Sequence, residues 1–174
     1  ISCNIKGNAP SAGVIAFANN SLTLNNLHVS GKVESTSAYA GGIIGFTNAD
    51  LKITNCSNDS SVKSPSGAGG ITYGTSSSAN LSILNCYNKG KVESVNGCAG
   101  GIIAHNNKLT INCYNNGEII GKTATCGIAG DTTITPGTIT NCYNFEHITS
   151  LSSIAGGIGW NQDIENCNNL GTVT

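Results

Sequence analysis

The sequence predicts an all-β chain: a right-handed parallel β-helix, or β-solenoid, of about six coils of 25–30 residues with three strands in each coil. Three observations carry that expectation. The tetrapeptide Asn-Cys-Tyr-Asn begins at Asn85, Asn112 and Asn141 and recurs in altered form at Asn55 and Asn166, while Ala-Gly-Gly-Ile blocks stand at Ala40, Ala68, Ala99 and Ala155. Large apolar residues fall into columns at the same period. Gly, Asn, Thr and Ser break every apolar run before an i, i+3, i+4 pattern develops, so helix is not expected.

The first strand of a coil follows the tetrapeptide, as in Gly90-Lys91-Val92-Glu93-Ser94. Side chains alternate between faces of a strand, so the column Ile1, Val33, Val62, Val92, Ile119, Ile148 and Val173 is placed inside. Its outward neighbours Glu34, Lys63 and Glu93 alternate in sign from coil to coil, which favours adjacent pairing. The second strand carries Val14, Ile43, Ile71, Ile102, Ile128 and Ile158 inward. Alternation then puts Ala40-Gly42-Ile44, Ala68-Gly70-Thr72, Ala99-Gly101-Ile103 and Ala155-Gly157-Gly159 on a flat, uncharged outer face. The third strand reads in, out, in through Leu51-Lys52-Ile53, Leu81-Ser82-Ile83 and Leu109-Thr110-Ile111.

The tetrapeptide supplies two ladders. Cys56, Cys86, Cys113, Cys142 and Cys167 share a column with Leu27, and a slot that accepts Leu is apolar; free Cys fills such a slot as a small hydrophobe. Stacked parallel strands point their Cβ vectors the same way, which disfavours disulfides, so a reduced Cys ladder is expected. Cys98 and Cys126 lie near one turn in consecutive coils, two positions out of register, and are the pair to test for a bridge. Asn58, Asn88, Asn115, Asn144 and Asn169 form an amide ladder at a turn, where Asn tolerates the left-handed conformation.

Composition excludes several function classes. A net charge of -1, with all eight basic residues Lys, argues against a nucleic-acid partner, because neutralising phosphates takes a dense basic face. No apolar run approaches the length of a membrane span, so direct membrane insertion is not expected, and the residues from Ile1 onward do not read as the n-region and h-region of a signal peptide. No Cys-x2–4-Cys pair offers a zinc site, and no metal or other cofactor is expected. His28, His105 and His147 fall in unrelated columns, with no nucleophile or base foreseen beside them. Glu34 and Glu93 share a column but are interrupted by Lys63, so a salt-bridge ladder is expected there, not the carboxylate pair of a polysaccharide lyase-like β-helix. The chain is therefore expected not to be an enzyme.

Two surfaces remain as binding candidates. Tyr87, Tyr114 and Tyr143 follow the Cys column on three successive coils, with His28 in the same line; such rings suit glycan or protein contacts. The face bearing Ile44, Thr72 and Ile103 offers a flat small-residue ladder, the basis of an alternative reading as an ice-binding protein, to which the Thr-x-Thr at Thr138 and Thr140 adds little.

Asn85-Cys86-Tyr87-Asn88, with Gly90, Val92 and then Ala99-Gly100-Gly101-Ile102, resembles the GLUG-motif repeat family, whose units read approximately G-G-L-V-G-x-N, a strand, N-C-Y and G-x-V. The likeness runs over nearly the whole chain. Departures are Ile for Leu after Gly-Gly, Asn after the Tyr, and Ala104 where Gly45 keeps the last glycine. The resemblance implies an extracellular solenoid segment of a bacterial surface protein or adhesin, secreted or at the cell surface, and transfers no catalytic residue. Residues 1–174 are thus expected to form one solenoid domain, a segment of a longer array. Ile1-Ser2 and Val173-Thr174 align to one point of the repeat, so whole coils without caps, open to end-to-end self-association, are also expected.

Overall fold

The computed structural model describes residues 1–76, 78–105, 108–131 and 136–174. The described residues form parallel strands and no helix, wound into a β-solenoid. Each sheet runs along the stack with one short strand per coil. Six-stranded sheets form from the Leu51–Thr54 and Gly67–Gly69 families, a five-stranded sheet from the Thr72–Thr75 family, and an eleven-stranded sheet joins the Ser57–Asn58 and Ser61–Ser64 families. The join is made in the first coil, where His28–Ser35 runs through both positions as a single strand.

A coil therefore has five strands where three were expected. The second shows them all: Leu51–Thr54, Ser57–Asn58, Ser61–Ser64, Gly67–Gly69 and Thr72–Thr75. The extra corners have local causes. Asn26, Asn55, Asn85, Asn112, Asn141 and Asn166 turn the chain with positive φ of 51–56°. Asn tolerates that conformation. It is thus the first Asn of the tetrapeptide that is left-handed, not the fourth. At the next corner Ser64 Oγ accepts from Gly67 N (3.1 Å) and donates to Gly67 O (2.6 Å), and Ser94 accepts from Gly97 N in the coil below.

The column Val33, Val62, Val92, Ile119, Ile148 is buried, packed against Ala40, Ala68 and Ala99. Its first member is Ile5, not Ile1: Ile5 pairs with Val33, and Ser2 with Ser30, which sets Ile1 opposite Val29. The two chain ends therefore do not sit at one point of the repeat, although Val173 does join below Ile148. The larger core compartment holds Ile43, Ile71, Ile102, Ile128 and Ile158 with Ile53, Ile83, Ile139 and the Cys column. The in-out-in reading fails in one coil. Ile83 pairs with Thr110 and Leu84 with Ile111, so Thr110 is fully buried while Leu109 and Ile111 turn outward. Counted back three places from each Cys, the inward column is Ile53, Ile83, Thr110, Ile139; the coil there is shorter, and the Cys fixes the parity.

The fourth residue of each tetrapeptide is buried, and its amide stacks. Asn58 Nδ2 donates to Asn88 Oδ1 (2.8 Å), Asn88 to Asn115 (2.8 Å), Asn115 to Asn144 (2.8 Å) and Asn144 to Asn169 (2.7 Å). Each Nδ2 also donates to the carbonyl two residues on, as Asn88 does to Gly90 (2.7 Å), so one side chain closes its own turn and binds the next coil. The amide lies on the second glycine of Gly-Gly. A Cβ on Gly101 would stand 2.5 Å from Asn115 Cγ and 2.1 Å from Gly127 O; one on Gly70 would stand 2.5 Å from Asn88 Cγ. The first glycine faces the other way with no more room: a Cβ on Gly100 would reach Ile103 O at 1.9 Å. That clash marks a concave bend, where the chain folds back between the Cys98–Gly100 and Ile103–His105 strands.

The bend overturns the flat outer face. Alternation does not carry through it, so Ile43 and Ile44, like Ile102 and Ile103, both point inward. Ala40, Ile44, Ala68, Thr72, Ala99 and Ile103 are all 0% exposed. Gly101→Ala is expected to cost about 3 kcal/mol or more, because backbone oxygen and a laddered amide must both give way. Asn115→Ala should cost about 2–3 kcal/mol, leaving buried groups of its neighbours unpaired, whereas the solvent-facing Asn112→Gly should lose under about 1 kcal/mol. Urea unfolding of the three variants measures the ranking.

Candidate functional site

The tyrosine column forms as expected. Tyr87 pairs with Tyr114 and Tyr114 with Tyr143, continuing a line through His28 and Ser57. The Tyr87 and Tyr114 rings stack at 4.9 Å and 7°, and Lys89 Nζ lies 5.0 Å from the Tyr87 centroid, within cation–π range. The sequence reading missed Phe145. It stands two residues past Tyr143, in the column of Asp59, Lys89 and Asn116, and lies 6.3 Å from both Tyr114 (edge-on) and Tyr143. Its position two residues past Tyr143, on the same face, was visible; its edge-on contact with Tyr114 was not, because that contact crosses from one coil and column to another. The faces of Tyr87 and Tyr114 are largely occupied by each other and by Lys89. The open end of the rail is Tyr143, 42% exposed, and Phe145, 44% exposed.

Ile44, Thr72 and Ile103, the other three candidate contact residues, cannot meet a ligand, because the bend turns them into the core. The surface on which an ice-binding reading rested does not exist in this fold. The concave bend itself is filled: Tyr39 stacks on Tyr73 at 4.0 Å and 10°, Tyr73 on His105 at 5.5 Å, and Phe46 lies 5.9 Å from both Phe17 and Tyr39. Tyr73 covers Gly67, whose Cβ would fall 2.3 Å from its ring. Further along, Cys98 and Cys126 are buried and free. Burial pushes each thiol up to about 12, with the Asp131 carboxylate and, for Cys126, the other thiol adding to it. Their register, Gly100 opposite Cys126 and Ala99 opposite Thr125, keeps the two Cys two residues apart along the strand as expected.

The histidines are less isolated than the sequence suggested. His28 Nδ1 is 2.7 Å from Ser57 Oγ, and its Nε2 is 3.7 Å from Asp59. The N–H groups of Ser57 and Asp59 are both bonded to the preceding coil, at Leu27 O (2.8 Å) and Val29 O (2.7 Å), so neither can hold an oxyanion beside Ser57. His105 lies on the Ile103–His105 strand, 3.7 Å from Asp131. Burial holds His105 low and Asp131 high. His147 Nδ1 bonds the Thr172 hydroxyl. On the sheet of the Leu51–Thr54 family, at the start of its strands, a shallow groove of about 470 Å³ runs past Asp50, Lys52, Asn80 and Lys108 over Leu109, the residue turned out by the register change.

The charge ladder is longer than expected. Lys6 pairs with Glu34 (3.2 Å), as does Lys32 (2.8 Å), and Lys63 pairs with Glu93 (2.6 Å) while standing opposite Glu34. Among the described residues no group of three or more His, Cys, Asp or Glu is placed to hold a metal ion. No helix of the described residues is long and apolar enough to cross a membrane. No protein-family model matches the chain, and no curated protein or solved structure matches it.

Hydrogen bonds from Lys32 and then Lys6 hold the Glu34 carboxyl below its ordinary value of 4.5. A lowered carboxylate contributes stability above its unfolded pKa and loses it as pH falls through the folded one. In an NMR titration Glu34 should therefore protonate below pH 4.5, and Lys32→Gln should move its midpoint upward. An unmoved midpoint would show that the pairing does not hold in solution.

Proposed function

We propose that this chain is a non-catalytic, rigid solenoid segment of a secreted or cell-surface protein, which displays an outer rail for a glycan or a surface protein. The observation that carries the reading is the rail, with aromatic rings on successive coils at one spacing and polar groups one column away. Tyr143 and Phe145 bring exposed rings with a phenol tip, Asn116 stands one coil from Phe145 in the same column as a donor, and Lys89 lies one coil further on, over Tyr87. Rings with a polar neighbour are the usual equipment for sugar faces and for protein hot spots. The likeness of the Asn-Cys-Tyr repeat to GLUG-motif segments supports the location and the role as part of a larger surface protein. The acids favour a structural reading over a lyase, since Glu34 and Glu93 are both held in ion pairs. His28, Ser57 and Asp59 converge, but the backbone donors beside them are committed to the sheet.

Glycan-array and surface-protein binding assays test the proposal. Binding should fall at least tenfold in Tyr143→Ala and in Phe145→Ala, whose rings are open, and less in Tyr114→Ala, whose faces are stacked. Binding unchanged in all three variants would discard the rail. No binding on any panel would leave the spacer role, which small-angle scattering of the chain should then report as a stiff rod.

A further inference from the structure

The Cys column has a geometry that core packing does not require. Each sulfur occupies the same place in its coil and donates to the carbonyl two residues before it: Cys56 to Thr54 (3.1 Å), Cys86 to Leu84, Cys113 to Ile111 and Cys142 to Thr140 (each 3.2 Å). Each also accepts a backbone N–H from the coil above. Leu27 N reaches Cys56 Sγ, Cys56 N reaches Cys86, Cys86 N reaches Cys113 (each 3.4 Å), Cys113 N reaches Cys142 (3.4 Å) and Cys142 N reaches Cys167 (3.3 Å). Five sulfurs thus stand in one line along the solenoid axis, each with an N–H directed at it and none bridged.

Equivalent atoms of neighbouring coils repeat at the inter-strand spacing of about 4.7–4.9 Å. A thiolate bond to a d10 metal ion is about 2.3 Å, as for zinc, so an ion between two sulfurs in line needs them about 4.6 Å apart. The N–H that each sulfur accepts from the preceding coil shows a lone pair directed between the coils, and an ion seated there takes the place of that contact. The two sulfurs are the soft donors of each gap; the carbonyls of Ile53, Ile83, Thr110 and Ile139 lie 3.5–3.8 Å from the nearer sulfur and are hard oxygen donors. Among the described residues no third Cys, His, Asp or Glu completes a set there, so the gap falls short of zinc's tetrahedral ligand set and suits soft ions that accept two thiolates in line.

We propose that the Cys column is a site for thiophilic d10 ions, each held linearly between the thiolates of adjacent coils. A divalent ion such as Hg(II) replaces the protons of two thiols, forming two metal–sulfur bonds and releasing two protons, and the product is neutral and compatible with a dry core. The N–H that reaches the first sulfur of a pair from outside the gap, as Cys56 N reaches Cys86 in the Cys86–Cys113 pair, stabilises the thiolate character of its bond, and the N–H inside the gap gives way to the ion. Five thiols in a row without sharing hold two ions.

Mercury(II) titration of the reduced chain, in a background where Cys3, Cys98 and Cys126 are Ala, tests the site against mere thiol affinity. Two ions and about four protons released are expected, with X-ray absorption showing two sulfur neighbours per ion. Two double variants keep three column thiols each. Cys56→Ala with Cys167→Ala leaves Cys86, Cys113 and Cys142 adjacent and should bind one ion tightly. Cys86→Ala with Cys142→Ala leaves no two adjacent and should bind at least a hundredfold more weakly. Equal uptake by the two would overturn the proposal, as would three or four sulfur neighbours in the parent chain. Far-UV dichroism identifies a variant that has lost its strands; Val in place of Ala then refills the slot and the comparison is repeated.

Discussion

The fold depends on a row of buried amides. Asn58, Asn88, Asn115, Asn144 and Asn169 each tie their own turn to the carbonyl two residues on and their own coil to the next at 2.7–2.8 Å. An unpaired amide in that position would carry a desolvation cost that no contact nearby offsets, so the coils must stay in register. The row also needs space. The second glycine of each Gly-Gly pair provides it, and the first allows the chain to double back against its own carbonyls. From those two demands follow the concave bend, the burial of Ile43 together with Ile44, and the division of the core into a wide Ile and Cys compartment and a narrow one where Ala meets Val.

A second amide row runs on the surface with the opposite sense. Asn85 Nδ2 donates back to Asn55 Oδ1 (3.2 Å) and Asn112 back to Asn85 (3.1 Å), whereas the buried row donates forward. Amides stacked in one direction add their dipoles along the axis, as peptide units do in a helix. Two rows of opposite sense offset one another, and the solenoid gains cross-coil hydrogen bonds without accumulating a large axial field. The buried row does most of the aligning, since water competes for the outer amides and not for the inner ones.

Much of this was legible in the repeat, and the failures share a cause. The Cys and Val columns, the Asn ladder and the sign alternation of Glu34, Lys63 and Glu93 were read correctly because each needs only the period. Ile44, Thr72 and Ile103 were misplaced because alternation was carried through a corner, and a corner rotates the side chains that follow it. The Gly-Gly pair was the available signal: two adjacent residues without side chains in four coils, at Gly41, Gly69, Gly100 and Gly156, imply crowding on both faces, not an open surface. Thr110 was misplaced by counting forward from Leu109; counting back from Cys113 gives the correct parity. Ile1 was aligned by likeness to Val173, while register puts Ile5 over Val33. The contact of Phe145 with Tyr114 was out of reach, because it joins two columns on different coils; Ser57 stands next to His28 in a single column, so their adjacency was legible and only their hydrogen bond was not foreseen.

The two aromatic groups show how one residue type comes to serve structure in one place and surface in another. Tyr73 is 7% exposed because it lies in the concave bend, where Gly67 leaves room beneath its ring and Tyr39 stacks above it. Removing it would open a hollow between two sheets. Tyr143 stands on a convex corner with nothing outside it, and its column reads His28, Ser57, Tyr87, Tyr114, Tyr143, Asn168 through the coils. Inward columns vary only within a narrow range, Val with Ile, Ile with Thr and Cys with Leu, because a stacked neighbour punishes a large change in shape. Outward columns on convex corners escape that constraint, and the Tyr column tolerates imidazole, hydroxyl, phenol and amide in turn. Selection for binding can act on such a column coil by coil without disturbing the core, and the convex rail, not the filled bend, is where this scaffold has room to acquire a ligand.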